Sequence, residues 1–175
     1  MDLQAAIVGQ IADGAALVSN VTKAIAIARS AGIPVIYVVV GFRPGAPEIS
    51  PNNKGFMAGR QLFDNVDMQE FLQVHPALAP AANEPVVVKR RVSAFSGSDL
   101  EVLLRAWNIR HIVLSGIATS GVVLSTVREA ADKDYRITVL ADCCADRDEE
   151  VHRVLTTKVF PRQADVTGLG EWVAN

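Results

Sequence analysis

A chain of 175 residues, half of them hydrophobic, has ample apolar side chain for a packed core and is the size of one α/β domain rather than two. Its net charge of −2, from 17 basic and 19 acidic residues with no basic cluster beyond Lys89-Arg90-Arg91, leaves no electrostatic footprint for nucleic acid. The longest apolar run, Ile33 to Val40, is interrupted by Pro34 and falls far short of the roughly 20 residues of a membrane span, so no membrane partner is expected either.

No signal peptide is read at the front, and the two cysteines, Cys143 and Cys144, are adjacent and cannot staple distant segments. A reducing cytoplasm is the compartment this usage implies. The chain opens "MDLQAAIVGQ" and soon turns helical, so the strand that would feed its first helix is reduced to a few residues. The expectation is that residues around Asp2 and Leu3 complete a shortened strand, or that the native product begins upstream of Met1.

From Gly14 to Gly32 the apolar residues Leu17, Val21, Ile25 and Ala28 recur at helical spacing, and Gly32 supplies a stop. "IPVIYVVV" follows as a near-continuous β-branched run, the mark of a strand buried on both faces of a parallel sheet. Gly41 to Asn65, rich in glycine, proline and asparagine, shows no clear period and reads as a lid, a binding loop or a subunit contact. Strand and helix then alternate: "EPVVVKR" before a helix around Asp99 to Trp107, "IRHIVLSG" before Thr119 to Asp132, and "YRITVLAD" before Asp148 to Lys158. A short last strand fits "QADVTG". This alternation predicts a single α/β domain over residues 1–175, a three-layer α/β/α, Rossmann-like arrangement around a mainly parallel sheet of five or six strands. Functional residues belong at the carboxyl ends of its strands.

Asp2, Lys89 and the turn from Ala118 to Val122 converge on that edge. Each has a plain structural reading: a helix cap, a solvated strand terminus, an ordinary helix-face residue. Arg43, after a buried strand, could clamp a carboxylate substrate bidentately or simply sit exposed on its loop, and Phe95 is a candidate pocket wall. Ser120 and Ser125 lie near the same helix start without an obvious histidine partner. Cys143 and Cys144 end the next strand and read as small buried fillers. His75, His111 and His152 are scattered, and neither a metal nor a cofactor is expected.

These segments resemble a known family. "MDLQ" is similar to the end of the first strand of the isochorismatase-like hydrolases, "VVVKRRVSAF" to their lysine segment, and "GIATSGVVLSTVREA" to their Gly-x-x-Thr-x-x-Cys-Val-x-x-Thr helix start. "VLADCCAD" sits where that family has a strand ending in Asp-Ala. The resemblance implies that Asp2 and Lys89 are the catalytic acid/base and its charge partner, and that the family cysteine falls on Val122. It also implies a cis Ile117-Ala118 peptide that turns the Ala118 and Val122 amides into an oxyanion hole, with Thr119 beside the substrate. A valine excludes thioester chemistry at that position. In the isochorismatase branch the cysteine is also absent, the acid protonates a vinyl-ether carbon, and water captures the resulting cation without a covalent intermediate. By resemblance, then, the chain is a hydrolase of a small, carboxylated molecule and forms a homodimer or larger homo-oligomer. Two other readings stay open: a catalytically silent relative serving binding or assembly, and an amidase with a thiol displaced to Cys143 or Cys144.

Overall fold

The β-branched run that ends at Val40 forms β1 (Tyr37–Val40) only over its last four residues in the computed structural model, which describes residues 1–172. β1 pairs in parallel with β2 (Val86–Lys89), so that Val40 stands opposite Lys89. β3 (His111–Ile117), β4 (Arg136–Ala145) and β5 (Asp165–Thr167) form a second parallel sheet in that order. Ile33 to Ile36 lies outside β1 because β2 begins only at Val86 and no other strand among the described residues pairs with it.

The two sheets meet through the first residues of the chain. Met1 donates its terminal amine to Ser115 O (2.9 Å) and accepts at its own carbonyl from Ile117 N (3.2 Å), while Asp2 N donates to Val38 O (2.8 Å). Residues 1 and 2 therefore bond as the end of a parallel strand between β1 and β3. Two residues further on, fully buried Gln4 continues the role with its side chain, accepting from Val40 N (2.8 Å) and donating to Val40 O (3.2 Å) and Phe71 O (2.6 Å).

After a short α1 (Ala5–Val8), α2 (Gly14–Ser30) lays Leu17, Val18, Val21 and Ala24 against Leu3, Ile117, Leu140 and Cys143 on one side of the sheets. α6 (Leu100–Ala106), α7 (Leu124–Asp132) and α8 (Glu149–Val154) cover the other side, where Leu104, Val127 and Leu155 pack with Val87, Ile137 and Val139. Ile137 and Val139 facing one layer and Leu140 the other is the two-residue alternation of a strand buried on both faces. The result is a three-layer α/β/α arrangement.

Gly41 to Asn65 is not a plain loop. It contains α3 (Lys54–Ala58) and α4 (Arg60–Asn65), followed by α5 (Met68–Phe71), gathered by edge-to-face contacts of Phe42 with Phe56 and Phe63 and of Phe63 with Phe71, at centroid distances of 4.8–5.8 Å. Helices of four to six residues are too short to impress a period on the sequence, so aromatic packing rather than helical amphipathicity organises this segment. The helix read from Thr119 begins as a π-helical turn (Thr119–Val123), and the one read from Asp148 ends as another (Leu155–Val159). Among the described residues no helix is long and apolar enough to cross a membrane.

Candidate active site

Lys89 is the last residue of β2 and Asp2 hangs from Val38 of β1, so the ladder itself delivers the two side chains to one point at the carboxyl ends of the strands. The Asp2 backbone is turned to φ 54°, and its Oδ2 lies 2.9 Å from Lys89 Nζ. The same ammonium donates to Arg91 O (2.9 Å). Both residues are buried, Asp2 to 7% exposure and Lys89 to 2%, and Asp2 Oδ1 has no hydrogen-bond partner among the described residues. Burial pushes the Asp2 carboxyl above the usual carboxylate range, outweighing the pull of Lys89 in the other direction. The result is a buried carboxyl group with one oxygen unengaged among the described residues and a cation fixed at the other. The adjacent Met1 amine is pushed down by the same burial.

Immediately beyond β3, whose Ile117 bonds to Met1, the chain enters the turn at Ala118 through a cis Ile117-Ala118 peptide. The Ala118 N–H has no acceptor among the described residues, while its carbonyl accepts from Gly121 N (3.0 Å). Thr119, wholly buried, shares a 2.8 Å hydrogen bond between its Oγ1 and His152 Nδ1 on α8. Ser120 N donates to Asp146 Oδ2 (2.7 Å), just after β4. Burial works to raise the Asp146 carboxyl, but hydrogen bonds from Ser120, Asp148 and Arg147 together outweigh it and hold the group low. Burial pushes the His152 imidazole down against the weaker pull of Asp146 and Glu149. His152 and Asp146 carry no motif of their own. Their one sequence signal is position, since they flank the start of the helix that follows the strand beside β3.

Val122 is 2% exposed and packs in the core shared by α6 and α7, so its side chain fills volume behind the turn. Arg43 is not brought to Asp2 and Lys89. Its guanidinium pairs with Glu48 (2.7 Å) with the side chain 69% exposed, because the acid five residues on lies within local reach. Phe95 is also carried away. Ala94 N donates to Thr126 Oγ1 (3.0 Å) and Ser96 Oγ to Glu129 (3.1 Å), which pins this segment along α7 and stacks Phe95 on Tyr135 at 5.9 Å. Neither residue lines the pair in this structure. Both cysteines are buried, and burial raises their thiols to about 12, so neither is a ready thiolate. Among the described residues no three His, Cys, Asp or Glu side chains are grouped to hold a metal ion.

A three-layer α/β protein with a carboxyl–ammonium pair at its strand ends, beside a helix-start turn with a free amide, has the framework of a small-molecule hydrolase. The chain belongs to the isochorismatase family: the family's isochorismatase domain matches residues 1–171. It is 35% identical over 138 residues to the ureidoacrylate amidohydrolase RutB of Pseudomonas syringae pv. syringae, which covers 72% of this chain and 56% of that protein. The chain thus spans little more than half the length of that relative. It is 32% identical over 162 residues to the uncharacterized isochorismatase family protein YwoC of Bacillus subtilis, covering 93% of this chain and 84% of YwoC. An isochorismatase family protein from Burkholderia thailandensis superposes with a TM-score of 0.84 at 28% identity, covering 99% of this chain and 90% of that one.

Proposed function

We propose that the chain, as a single domain, is a hydrolase that acts without a cysteine nucleophile on a small, carboxylated molecule. Asp2 is its general acid/base and Lys89 its charge partner. The observation that carries this reading is the buried contact of 2.9 Å between Asp2 Oδ2 and Lys89 Nζ, with burial raising the Asp2 carboxyl. A carboxyl whose hold on its proton is strengthened by burial suits general acid catalysis. Asp2 gives that proton to the substrate, a vinyl-ether carbon in the simplest case, and Lys89 stabilises the carboxylate left behind. Water adds to the cation so formed and returns one proton to Asp2, and collapse of the adduct releases an alcohol and a carbonyl compound. The Ala118 amide, with Thr119 beside it, supplies a donor for the substrate's carboxylate. Val122, at the motif position of the family cysteine, offers no nucleophile.

A second reading, a silent relative that binds or assembles, is favoured by one observation: Asp2, Lys89, Thr119 and Val122 are all at least nine-tenths buried. Hydrolysis assays with isochorismate, carboxylated amides, ureido acids and simple esters separate the two. Turnover of any of these that falls at least about 100-fold in Asp2→Asn supports the acid role, and no turnover of the whole panel overturns it. Self-association belongs to the same proposal. Met57 and Leu62, 39% and 52% exposed on α3 and α4, provide the apolar contact. A monomer by size-exclusion chromatography with light scattering at micromolar concentration counts against it.

A further inference from the structure

Two side chains that follow β4 hold the turn that opens after β3. Asp146 takes the Ser120 amide (2.7 Å), and His152 Nδ1 lies 2.8 Å from Thr119 Oγ1. Both grips cross from one strand end to the next, over 26 and 33 residues of chain. A threonine at the start of a helical turn ordinarily turns its hydroxyl to a backbone N–H of that turn or to a nearby carbonyl. Thr119 does neither: no side-chain cap closes this terminus, and among the described residues His152 is the one partner of its Oγ1. Because Thr119 is wholly buried, its hydroxyl is shut off from solvent, and an unpaired polar group there would be costly. The histidine therefore decides how this side chain is held.

The residue before Thr119 carries the free donor. Ala118 N–H has no acceptor among the described residues, while the Ala118 carbonyl accepts from Gly121 N (3.0 Å) and Val123 N (3.3 Å). A methyl side chain gives Ala118 no polar hold of its own, so its neighbours set the direction of its amide: Ile117, the last residue of β3, on one side, and Thr119 and Ser120 on the other. We propose that His152 is a positioning residue of this site: through Nδ1 and the Thr119 hydroxyl it fixes the Ala118 amide in the direction from which it meets the substrate's carboxylate. The inference rests on the hydrolase reading for the substrate, but not for the grip on the turn. An amide that holds a carboxylate away from the reacting carbon is engaged alike in the bound substrate and in the transition state, so loosening it raises KM and spares kcat. A mere loss of folded protein lowers the apparent kcat and leaves KM where it was.

The ring nitrogen in use selects the test. Nδ1 is attached to Cγ, as is the amide oxygen of asparagine, whereas the amide of glutamine starts one carbon further out, near the place of Nε2. His152→Asn therefore keeps a partner for Thr119, His152→Gln does not, and Thr119→Val removes the hydroxyl with little change of shape. Hydrogen exchange at the Ser120 amide, read against the core amide of Val139 in β4, reports the grip on the turn without any substrate. It is expected to be at least about tenfold faster than in the parent for His152→Gln and Thr119→Val, and within about threefold of the parent for His152→Asn. On whichever panel substrate turns over, His152→Gln and Thr119→Val are each expected to raise KM about tenfold with kcat within about threefold, and the double variant no further than either alone. His152→Asn is expected to restore the parent KM. Ser120 exchange that is unchanged in His152→Gln, or equally fast in the Asn and Gln variants, overturns the proposal, as does a fall in kcat at constant KM. A parent that turns over nothing on the panel counts against the acid role of Asp2, and the exchange comparison then decides the positioning role by itself.

Discussion

Lys89→Met removes the cation of the buried pair while keeping most of the volume of its stem, which separates charge from packing. Lys89 Nζ serves Asp2 Oδ2 and Arg91 O, both at 2.9 Å, so the substitution leaves a buried carboxylate with neither oxygen bonded and one carbonyl without its donor. Breaking a buried pair from one side costs about 3–5 kcal/mol, and the orphaned carbonyl about 1 more. Asp2 escapes part of that cost by taking up a proton. Its folded pKa is already raised by burial and rises further without Lys89. The folded state then binds more protons than the unfolded state above the unfolded value of about 3.9. Stability linked to Asp2 is therefore full below that value and lost as pH rises through the folded pKa. Urea unfolding followed by circular dichroism is expected to show Lys89→Met weaker than the parent by about 4 kcal/mol at pH 8 and by less than half of that near pH 4.5. At pH 8 the double variant Asp2→Asn, Lys89→Met is expected to be more stable than Lys89→Met alone. A loss under about 1 kcal/mol at pH 8, or one that grows on acidification, would refute an ionisable buried pair.

Four further outcomes follow from other sites. His152 has a depressed folded pKa, so the stability it contributes is full above about 6.5 and lost as pH falls through the folded value; His152→Asn is expected to shrink the Tm difference between pH 7.5 and pH 5.5. With thiols near 12 and both side chains buried, Cys143 and Cys144 are expected to resist iodoacetamide at pH 8 until urea unfolds the chain, and rapid labelling of the native protein would contradict their burial. Gly116→Ala places a Cβ 2.1 Å from Met1 O at a backbone φ of 145°, and a loss of at least about 2 kcal/mol in urea unfolding is expected. Val122→Cys is expected to yield weak amide or ester hydrolysis that disappears in Asp2→Asn, and a variant inert on a broad panel would count against Val122 as the nucleophile's position.

Much of this fold is legible because its longer elements carry strong local signals. Leu17, Val21 and Ala28 repeat over 17 residues of α2, and β3 and β4 are apolar runs flanked by helices. What local signals cannot carry is the partner. Ile33 to Ile36 is as β-branched as Tyr37 to Val40, yet strand pairing begins only where β2 lies alongside. Phe95 follows the lysine strand closely, but its direction is decided by Thr126 and Glu129 on a helix some thirty residues on. Arg43 could have been read more closely, since Glu48 stands in the same loop. Thr119 and His152 are 33 residues apart, and only the order of β3 and β4 in the sheet brings their ends together.

The Asp2–Lys89 pair depends on residue 1. Asp2 reaches Lys89 only while Met1 stays bonded to Ser115 and Ile117, and that approach exists because Gly116 has no side chain to meet the Met1 carbonyl. Two backbone residues carry the carboxylate, bonded to Val38 on one side and to Ser115 and Ile117 on the other. A stronger hold on Met1 would narrow the positions open to the Asp2 carboxylate, and general acid catalysis depends on that position before it depends on pKa. Gly116→Ala, which displaces the Met1 carbonyl, is therefore expected to lower the proposed activity by more than the loss of folded protein, and activity that merely tracks the folded fraction would show that Met1 does not position Asp2.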